Sequence, residues 1–212
     1  MSELDLHEQE QVDAFKAWWK ENGNWVIGLV LAGALAFAGN QFWRNHQASQ
    51  AAEAAKLYGE VLQQAESRDA QRIGDAAAAL ASRYDGSAYA PRAQLLAAQA
   101  SLQARDLARA KGQLQWVIEH ADEAALQHAA RLKLASILLD ERQYDAALQQ
   151  LDGKHPASFE GLYADLKGDV LLAMGRKAEA RAAYQLALDK TGAQSAYRNL
   201  LQLKLDGLGS GQ

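Results

Sequence analysis

The chain has 212 residues and no cysteine, which excludes disulfides, thiol catalysis and cysteine-ligated metal sites. Its formal net charge of -4 arises in residues 1–24, where six acidic residues outnumber two lysines. From Arg44 onward, 20 Lys and Arg residues balance 20 Asp and Glu residues, so this part lacks the basic excess typical of nucleic-acid binding, and no nucleic-acid partner is expected.

The composition indicates an all-α fold. Only two prolines, Pro91 and Pro156, interrupt segments rich in Ala, Leu and Gln, which lose little side-chain freedom in helices. No run of β-branched residues alternates with polar ones, so strand signals are nearly absent. The mean hydropathy of -0.31 indicates that most apolar residues are spread over amphipathic elements.

The acidic N-terminal tail, residues 1–24, also contains apolar residues. A short amphipathic helix is predicted near Asp13, lying at a membrane interface and ending at Gly23. Packing on the membrane surface is the simpler interpretation, and recruitment of a partner is the alternative. The apolar residues of this tail are Leu6, Val12, Phe15, Trp18 and Trp19.

Residues 25–43 form an uncharged, strongly apolar segment of 19 residues. As a helix it extends over roughly 28 Å, close to the hydrocarbon thickness of a bilayer. Lys20 and Arg44 flank the segment, and aromatic side chains gather at its ends as they do at membrane interfaces. The sequence therefore predicts one transmembrane helix, with interface anchors at Trp18, Trp19, Trp25, Phe42 and Trp43.

Two other interpretations of this segment are a buried core helix and a cleaved signal peptide. The missing charges argue against the first, and the long acidic tail argues against the second, although Ala36-Phe37-Ala38 resembles a cleavage site. Orientation stays open, because two basic residues lie near the span on each side. Gly28, Ala32 and Ala36 form a small-residue ridge, which either admits a partner helix or reflects how common Gly and Ala are in spans.

Helix-length segments separated by short polar breaks follow the span and predict eight or nine helices. A degenerate first hairpin is expected over residues 57–84, and a closing helix over residues 194–208. The predicted breaks are Glu66–Asp69, Asp85–Gly86, Arg105–Asp106, Ala121–Asp122, Arg142–Gln143, Asp152–Pro156, Gly175–Arg176 and Thr191–Gly192.

Three helix pairs fit the tetratricopeptide repeat (TPR) pattern, in which two small residues 12 positions apart let antiparallel helices cross closely. A large residue four positions later fills the groove between units. Chance matches in Ala-rich helices are the alternative, but three matches in chain order, with turns where they are expected, favour a TPR-like array. The repeat-packing residues are Ala98 with Ala110, Ala135 with Ala147, and Gly168 with Ala180 and Tyr184.

The sequence contains no H-E-x-x-H, G-x-S-x-G, P-loop or G-x-G-x-x-G motif. His120 and His128 straddle a break and lack matching ligands, so solvated surface positions are expected rather than a metal site. We therefore predict no catalytic, metal-binding or cofactor-binding residues and no enzymatic activity. Partner contacts are expected instead from a few of the aromatic residues Tyr58, Tyr84, Tyr89, Trp116, Phe159, Tyr163 and Tyr197.

Four features in order, the tail ending in EQVDAFKAWWKENGNW, the single span, the stretch YADLKGDVLLAMGRKAEAR and the ending NLLQLKLDGL, resemble the YfgM family, the ancillary subunit of the bacterial SecYEG translocon. The resemblance covers essentially the whole chain. It implies a single-pass inner-membrane protein with a cytoplasmic N-terminus and a periplasmic TPR-like domain. The segments are then a cytoplasmic tail (1–24), a transmembrane helix (25–43), a TPR-like domain (44–208) and a disordered C-terminal tail (209–212).

The resemblance also implies partners and a role. These are the SecYEG translocon, the periplasmic chaperone PpiD, unfolded translocating proteins and the lipid bilayer, with the array helping to pass translocated proteins to periplasmic chaperones. The alternative function is that of a regulatory or envelope-biogenesis scaffold, whose cytoplasmic tail controls a stress-response regulator.

Overall fold

The computed structural model describes residues 3–209, with side chains from residue 10 onward. Its contacts divide the chain into two compact units, Met1–Ala52 and Glu53–Gln212. Apart from residue 209, the predicted C-terminal tail lies outside the described residues. Between residues 3 and 209 the elements are α1 (Glu3–Glu66), α2 (Ala70–Arg83), α3 (Tyr89–Gln103), α4 (Leu107–His120), α5 (Ala124–Asp140), α6 (Tyr144–Leu151), a 3-10 turn (Ala157–Phe159), α7 (Glu160–Ala173), α8 (Lys177–Lys190) and α9 (Tyr197–Gly207).

The all-α prediction is confirmed, since the described residues contain helices and no strand. The predicted helix end at Gly23 is wrong, because α1 continues through this residue. Gly23 keeps a right-handed backbone and is buried beneath Trp19, whose Nε1 atom would lie 3.1 Å from an added β-carbon. A glycine ends a helix when it adopts the left-handed conformation, and nothing after Gly23 requires that here.

In the first unit, α1 carries the apolar segment that the sequence assigns to a membrane. Among the described residues, α1 is the one helix long and apolar enough to span a bilayer, and none of its most apolar 18-residue window is buried. Large side chains such as Leu35 and Phe37 are more than 70% exposed. An apolar helix without a protein covering matches a lipid-facing segment and contradicts a core helix.

In the second unit, successive helices pack as hairpins around small residues. Ala98 of α3 and Ala110 of α4 are fully buried in the same apolar cluster, as are Ala135 of α5 and Ala147 of α6. In the fourth hairpin, formed by α7 and α8, Ala180 of α8 is fully buried beside Tyr184. Small side chains at these positions let the helix backbones approach closely, which places the following large side chains in the grooves.

The fourth hairpin shows why the size of each small residue matters. A β-carbon added to Gly168 would lie 2.5 Å from Cε1 of Tyr184, closer than real β-carbons pack. In the second and third hairpins, α3–α4 and α5–α6, the large residue is a leucine, Leu114 or Leu151. The small residue in the first helix of each is alanine. The tyrosine therefore requires glycine where a leucine tolerates alanine.

The first hairpin has the same register with the sizes reversed. Val61 of α1 and Ile73 of α2 are 12 residues apart, and both are buried where the other hairpins have Ala or Gly. Ala77, four residues after Ile73, is fully buried at the position of the groove-filling leucines. The large and small positions exchange together, so the small side chain of Ala77 leaves room for the larger side chains of Val61 and Ile73.

The turn inside each hairpin is also repeated. The residue seven positions after Val61, Ala98, Ala135 or Gly168 has a left-handed backbone. In the last three turns, the next amide donates to the carbonyl five residues earlier, which is the Schellman arrangement that ends a helix. The four left-handed residues are Arg68, Arg105, Arg142 and Gly175, with φ of 57°, 60°, 61° and 78°.

Replacing Gly168 by alanine tests the close crossing. Overpacking against Tyr184 outweighs the better helix propensity of alanine, so we expect a loss of about 1–2 kcal/mol in unfolding free energy. The double variant Gly168→Ala/Tyr184→Leu, which copies the first two alanine crossings, should recover part of this loss. Urea unfolding of the full chain, followed by circular dichroism, measures both.

Gly112→Ala provides the control, because an added β-carbon meets no atom within 4 Å there. It should stabilise α4 by up to about 1 kcal/mol. Equal stability of Gly168→Ala and the unmodified chain would contradict the steric account of this crossing.

The left-handed turns generate a second prediction. Glycine adopts positive φ without the steric penalty of a side chain, so Arg142→Gly should stabilise the array by about 0.5–1 kcal/mol. The reverse change at the equivalent turn, Gly175→Arg, should destabilise it by a similar amount, since its added β-carbon meets no atom within 4 Å and only the backbone is affected. In denaturant titrations the two variants should change the unfolding free energy in opposite directions. Changes in the same direction would refute the prediction.

Candidate interaction surfaces

A row of leucines follows from the hairpin register. Leu102 of α3, Leu139 of α5 and Leu172 of α7 each lie four residues after the small residue of their helix. We call these three residues the leucine ladder. Leu102 and Leu139 are partly buried against the apolar cluster, and Leu172 is 38% exposed. Equal register places the three side chains along the same side of the stacked hairpins, where they offer a discontinuous apolar surface.

A second row of equivalent residues is apolar in α3 and α5 but is interrupted in α7, where α9 packs. Three residues before the small residue, α3 has Leu95 and α5 has Leu132, both partly buried, but α7 has Asp165. Asp165 is only 5% exposed. It accepts hydrogen bonds from the Tyr197 hydroxyl at 2.5 Å and from Lys204 Nζ at 2.8 Å. Both donors belong to α9, so the third position of the row holds the closing helix instead of remaining apolar.

A buried polar network connects α9 with α7 and α8. Lys204 Nζ also donates to Asp169 at 2.8 Å, and Asp169 accepts a bond of 2.7 Å from the Tyr184 hydroxyl. Burial and the bonds to these carboxylates raise the pKa of Tyr184 and of Tyr197. Burial lowers the pKa of Lys204, but its hydrogen bonds to both aspartates outweigh that effect and raise it. Lys204 therefore remains charged and offsets part of the negative charge of Asp165 and Asp169.

Histidine and aromatic side chains form a cluster between α5, α7 and the 3-10 turn. His128 Nδ1 lies 2.8 Å from the Tyr163 hydroxyl, and the ring of His155 lies 4.3 Å from that of Tyr163. Burial lowers the pKa of His128, and the nearby charges of His155 and Arg131 lower it further. The cluster favours a neutral imidazole at position 128, which suits packing rather than solvent contact.

The expectation that both histidines lie at the surface is correct for His120 and wrong for His128. His120 is exposed and stacks on Trp116 with ring centroids 4.4 Å apart. His128 is 9% exposed, because its bond to Tyr163 satisfies a ring nitrogen inside the fold. No group of three or more His, Asp or Glu residues within the described part of the chain is arranged to hold a metal ion.

The aromatic residues considered for partner contact are mostly involved in internal packing. Tyr163 is 2% exposed, and Tyr58 and Tyr89 contact each other with ring centroids 5.5 Å apart. Tyr84 donates a hydrogen bond to Glu53 near the end of α1, and that bond raises the pKa of its hydroxyl. The leucine ladder is the surface that sequence reasoning missed, although the four-residue offset from each small residue was available in the sequence.

The predicted membrane anchors lie on α1 of the first unit. Trp18 and Trp19 each stack near Phe15, with ring centroids 6.2 and 6.0 Å apart. The small residues of the predicted ridge, Gly28, Ala32 and Ala36, are exposed, and nothing lies within 4 Å of a β-carbon built on Gly28. The other predicted anchors are also exposed, at 72% for Trp25, 73% for Phe42 and 60% for Trp43.

The chain is similar to known proteins over almost its full length. The model of the tetratricopeptide repeat-like domain family matches residues 16–210. A Neisseria gonorrhoeae protein named ancillary SecYEG translocon subunit is 36% identical over 204 residues, which cover 96% of this chain and 98% of that protein. Proteins of the same name from Escherichia coli and Haemophilus influenzae are 29% and 27% identical, covering 97% and 96% of this chain and 98% of each relative.

No solved structure matches the chain. The family model covers nearly the whole array, and its TPR-like description agrees with the hairpins, their close crossings and their repeated turns. The relatives share the full length of the chain and one name, and α1 supplies the candidate membrane span. The chain therefore belongs to the YfgM family of ancillary SecYEG translocon subunits, with a tetratricopeptide repeat-like domain.

Proposed function

We propose that this protein is a non-enzymatic, membrane-anchored adaptor of the SecYEG translocon, which binds partner proteins through its TPR-like array. The leucine ladder carries the proposal, because a repeated, partly exposed apolar row is the surface that helical arrays offer to partner segments. The names of the relatives support the translocon as the assembly in which this surface works.

The anchor is proposed to be residues 25–43, with residues 44–208 forming the periplasmic domain and residues 1–24 the cytoplasmic tail. Trp18, Trp19 and Trp25 then lie at one membrane interface, and Phe42 and Trp43 lie at the other, where amphipathic aromatic rings are favoured. The absence of cysteine in the chain is compatible with an oxidising compartment. The ridge beginning at Gly28 would face a neighbouring membrane helix.

Periplasmic chaperones such as PpiD, and unfolded proteins leaving the translocon, are the proposed partners of the array. Their common chemistry is exposed apolar sequence, which complements half-buried leucines spaced along a helical surface. Holding both kinds of partner at the membrane would promote transfer of a translocated protein to a chaperone.

A second candidate function concerns the tail. Residues 1–24 contain six of the acidic residues and two lysines, whereas the rest of the chain is neutral. A concentrated negative charge of this kind suits a basic face of a cytoplasmic response regulator. In this function the array would act as a sensor or an envelope scaffold while the tail controls the regulator.

Substitution of Leu172 tests the adaptor function. Leu172→Gln removes an apolar contact from an exposed position, so it should leave stability nearly unchanged and reduce co-purification of SecYEG or PpiD with the full chain from membranes. Leu186→Gln is the matched control, because Leu186 of α8 is 42% exposed, like Leu172, but lies outside the ladder. Equal recovery of partners with both variants would exclude the ladder as the contact.

Protease digestion tests the proposed orientation. Protease added to intact spheroplasts should degrade the array, since residues 44–208 are expected outside the cytoplasmic compartment, and should leave the N-terminal tail protected. An epitope at each terminus reports the two outcomes on the same blot. Protection of the array in intact spheroplasts, with digestion after lysis, would rule out a periplasmic domain.

A further inference from the structure

Three arginines occupy the same position in successive hairpin turns. Arg68, Arg105 and Arg142 follow the C-terminal ends of α1, α3 and α5, and all three are exposed with left-handed backbones. They are 37 residues apart along the chain. Between residues 10 and 209, none of their side chains has a hydrogen-bond or ion-pair partner. We call these residues the arginine edge.

The conformation at these positions favours other residues. A left-handed backbone is strained for a residue with a β-carbon, and glycine, which occupies the fourth turn at Gly175, avoids that strain. Arginine supplies no hydrogen bond in the array that would compensate. Its attraction to the carbonyl end of the preceding helix is the one evident benefit, and any cation on the last turn would provide it. Strain at three equivalent exposed positions points to a role for the side chains themselves.

Nearby acidic residues do not neutralise the arginine edge. Asp69 caps α2 and forms an ion pair with Arg72 at 3.3 Å. Asp106 caps α4 and lies 3.7 Å from Arg109. In the third turn, Glu141 binds Lys111 at 2.7 Å. Each of these three acids is thus paired with a second cation, and within residues 10–209 no ion pair is formed by the guanidinium groups of the arginine edge.

We infer that the arginine edge binds an extended acidic segment of a partner protein. Equal register aligns the guanidinium groups along one edge of the array, with one group for each hairpin and helix layers spaced by about 10 Å. A guanidinium can hold a carboxylate with two parallel hydrogen bonds, so a segment with spaced Asp or Glu residues would pair with successive hairpins. The surface goes beyond the translocon association proposed above and does not depend on it.

The charge pattern favours a protein segment over a membrane surface. Residues from Arg44 onward are neutral in total, and acidic residues lie beside each arginine of the edge. A uniformly anionic bilayer would be repelled by these acids as much as it is attracted by the arginines. A flexible acidic segment can place its carboxylates against the guanidinium groups and leave the intervening positions uncharged.

A triple variant of the full chain, Arg68→Gly/Arg105→Gly/Arg142→Gly, tests this inference in neutral detergent. The probe is a fluorescently labelled peptide with glutamate at every third position and uncharged residues between, which spaces the carboxylates by roughly 10 Å in an extended chain. Binding is measured by anisotropy at two salt concentrations. The unmodified chain should bind the peptide, more weakly at high salt, and the variant should lose at least about tenfold in affinity. Its thermal unfolding midpoint should rise, because glycine relieves the strain of the turns.

The matched control is Arg83→Gln/Lys133→Gln/Lys154→Gln, which removes the same charge from exposed positions away from these turns. It should retain peptide binding. Undiminished binding by the glycine variant, or an equal loss in the control, would overturn the inference. Vesicles of phosphatidylglycerol that displace the peptide from the unmodified chain would overturn it in favour of a lipid-binding edge. None of these results affects the co-purification test of the leucine ladder.

Discussion

The close crossing of two helices within each hairpin is the constraint on which the rest of the array depends. It is tightest at Gly168, where the ring of Tyr184 occupies the space that a β-carbon would need. A crossing this close admits a small range of side-chain volumes, so the residues at its three positions have to change together. The exchange of sizes at Val61, Ile73 and Ala77 in the first hairpin shows the same rule with the opposite assignment.

The surfaces of the array follow from this register. The small residue in the first helix of each hairpin is set by the crossing. Its position also sets where the residues four and seven positions later lie on the array. The first of these gives the leucine ladder, and the second gives the left-handed turn in which three arginines and Gly175 lie. Two rows of different chemistry therefore repeat with the hairpins. The apolar row at Leu95 and Leu132 ends at Asp165, because Lys204 and Tyr197 of α9 bind there.

The sequence was sufficient for the features that depend on composition and local periodicity. Helix breaks contain Gly, Asp or Arg at fixed offsets, and the apolar segment of α1 is uncharged over 19 residues, so both could be predicted. The small-residue spacing predicted the second, third and fourth hairpins. It gave only a degenerate first hairpin, because the search required small residues and Val61 and Ile73 are large.

Other features depend on contacts between distant residues. The burial of His128 follows from its bond to Tyr163, which is 35 residues away in sequence. The predicted end of the helix at Gly23 was wrong for a local reason: a glycine ends a helix only when it adopts the left-handed conformation, and Gly23 stays right-handed. Breaks were predicted at the three arginines, but their left-handed conformation was not, since arginine is a good helix former and gives no signal of positive φ.

In the adaptor function proposed above, anchoring would let such modest surfaces act. The leucine ladder is half covered by its own array, and the arginine edge consists of single exposed charges, which contribute little when they bind alone in water. Confinement of a protein and its partner to one membrane makes a weak contact effectively intramolecular and raises its occupancy without new interactions. Because α1 contains both the apolar segment and, further along, the buried residues Ala54 and Val61 of the first hairpin, a truncation that removes the whole of α1 would also remove part of the array.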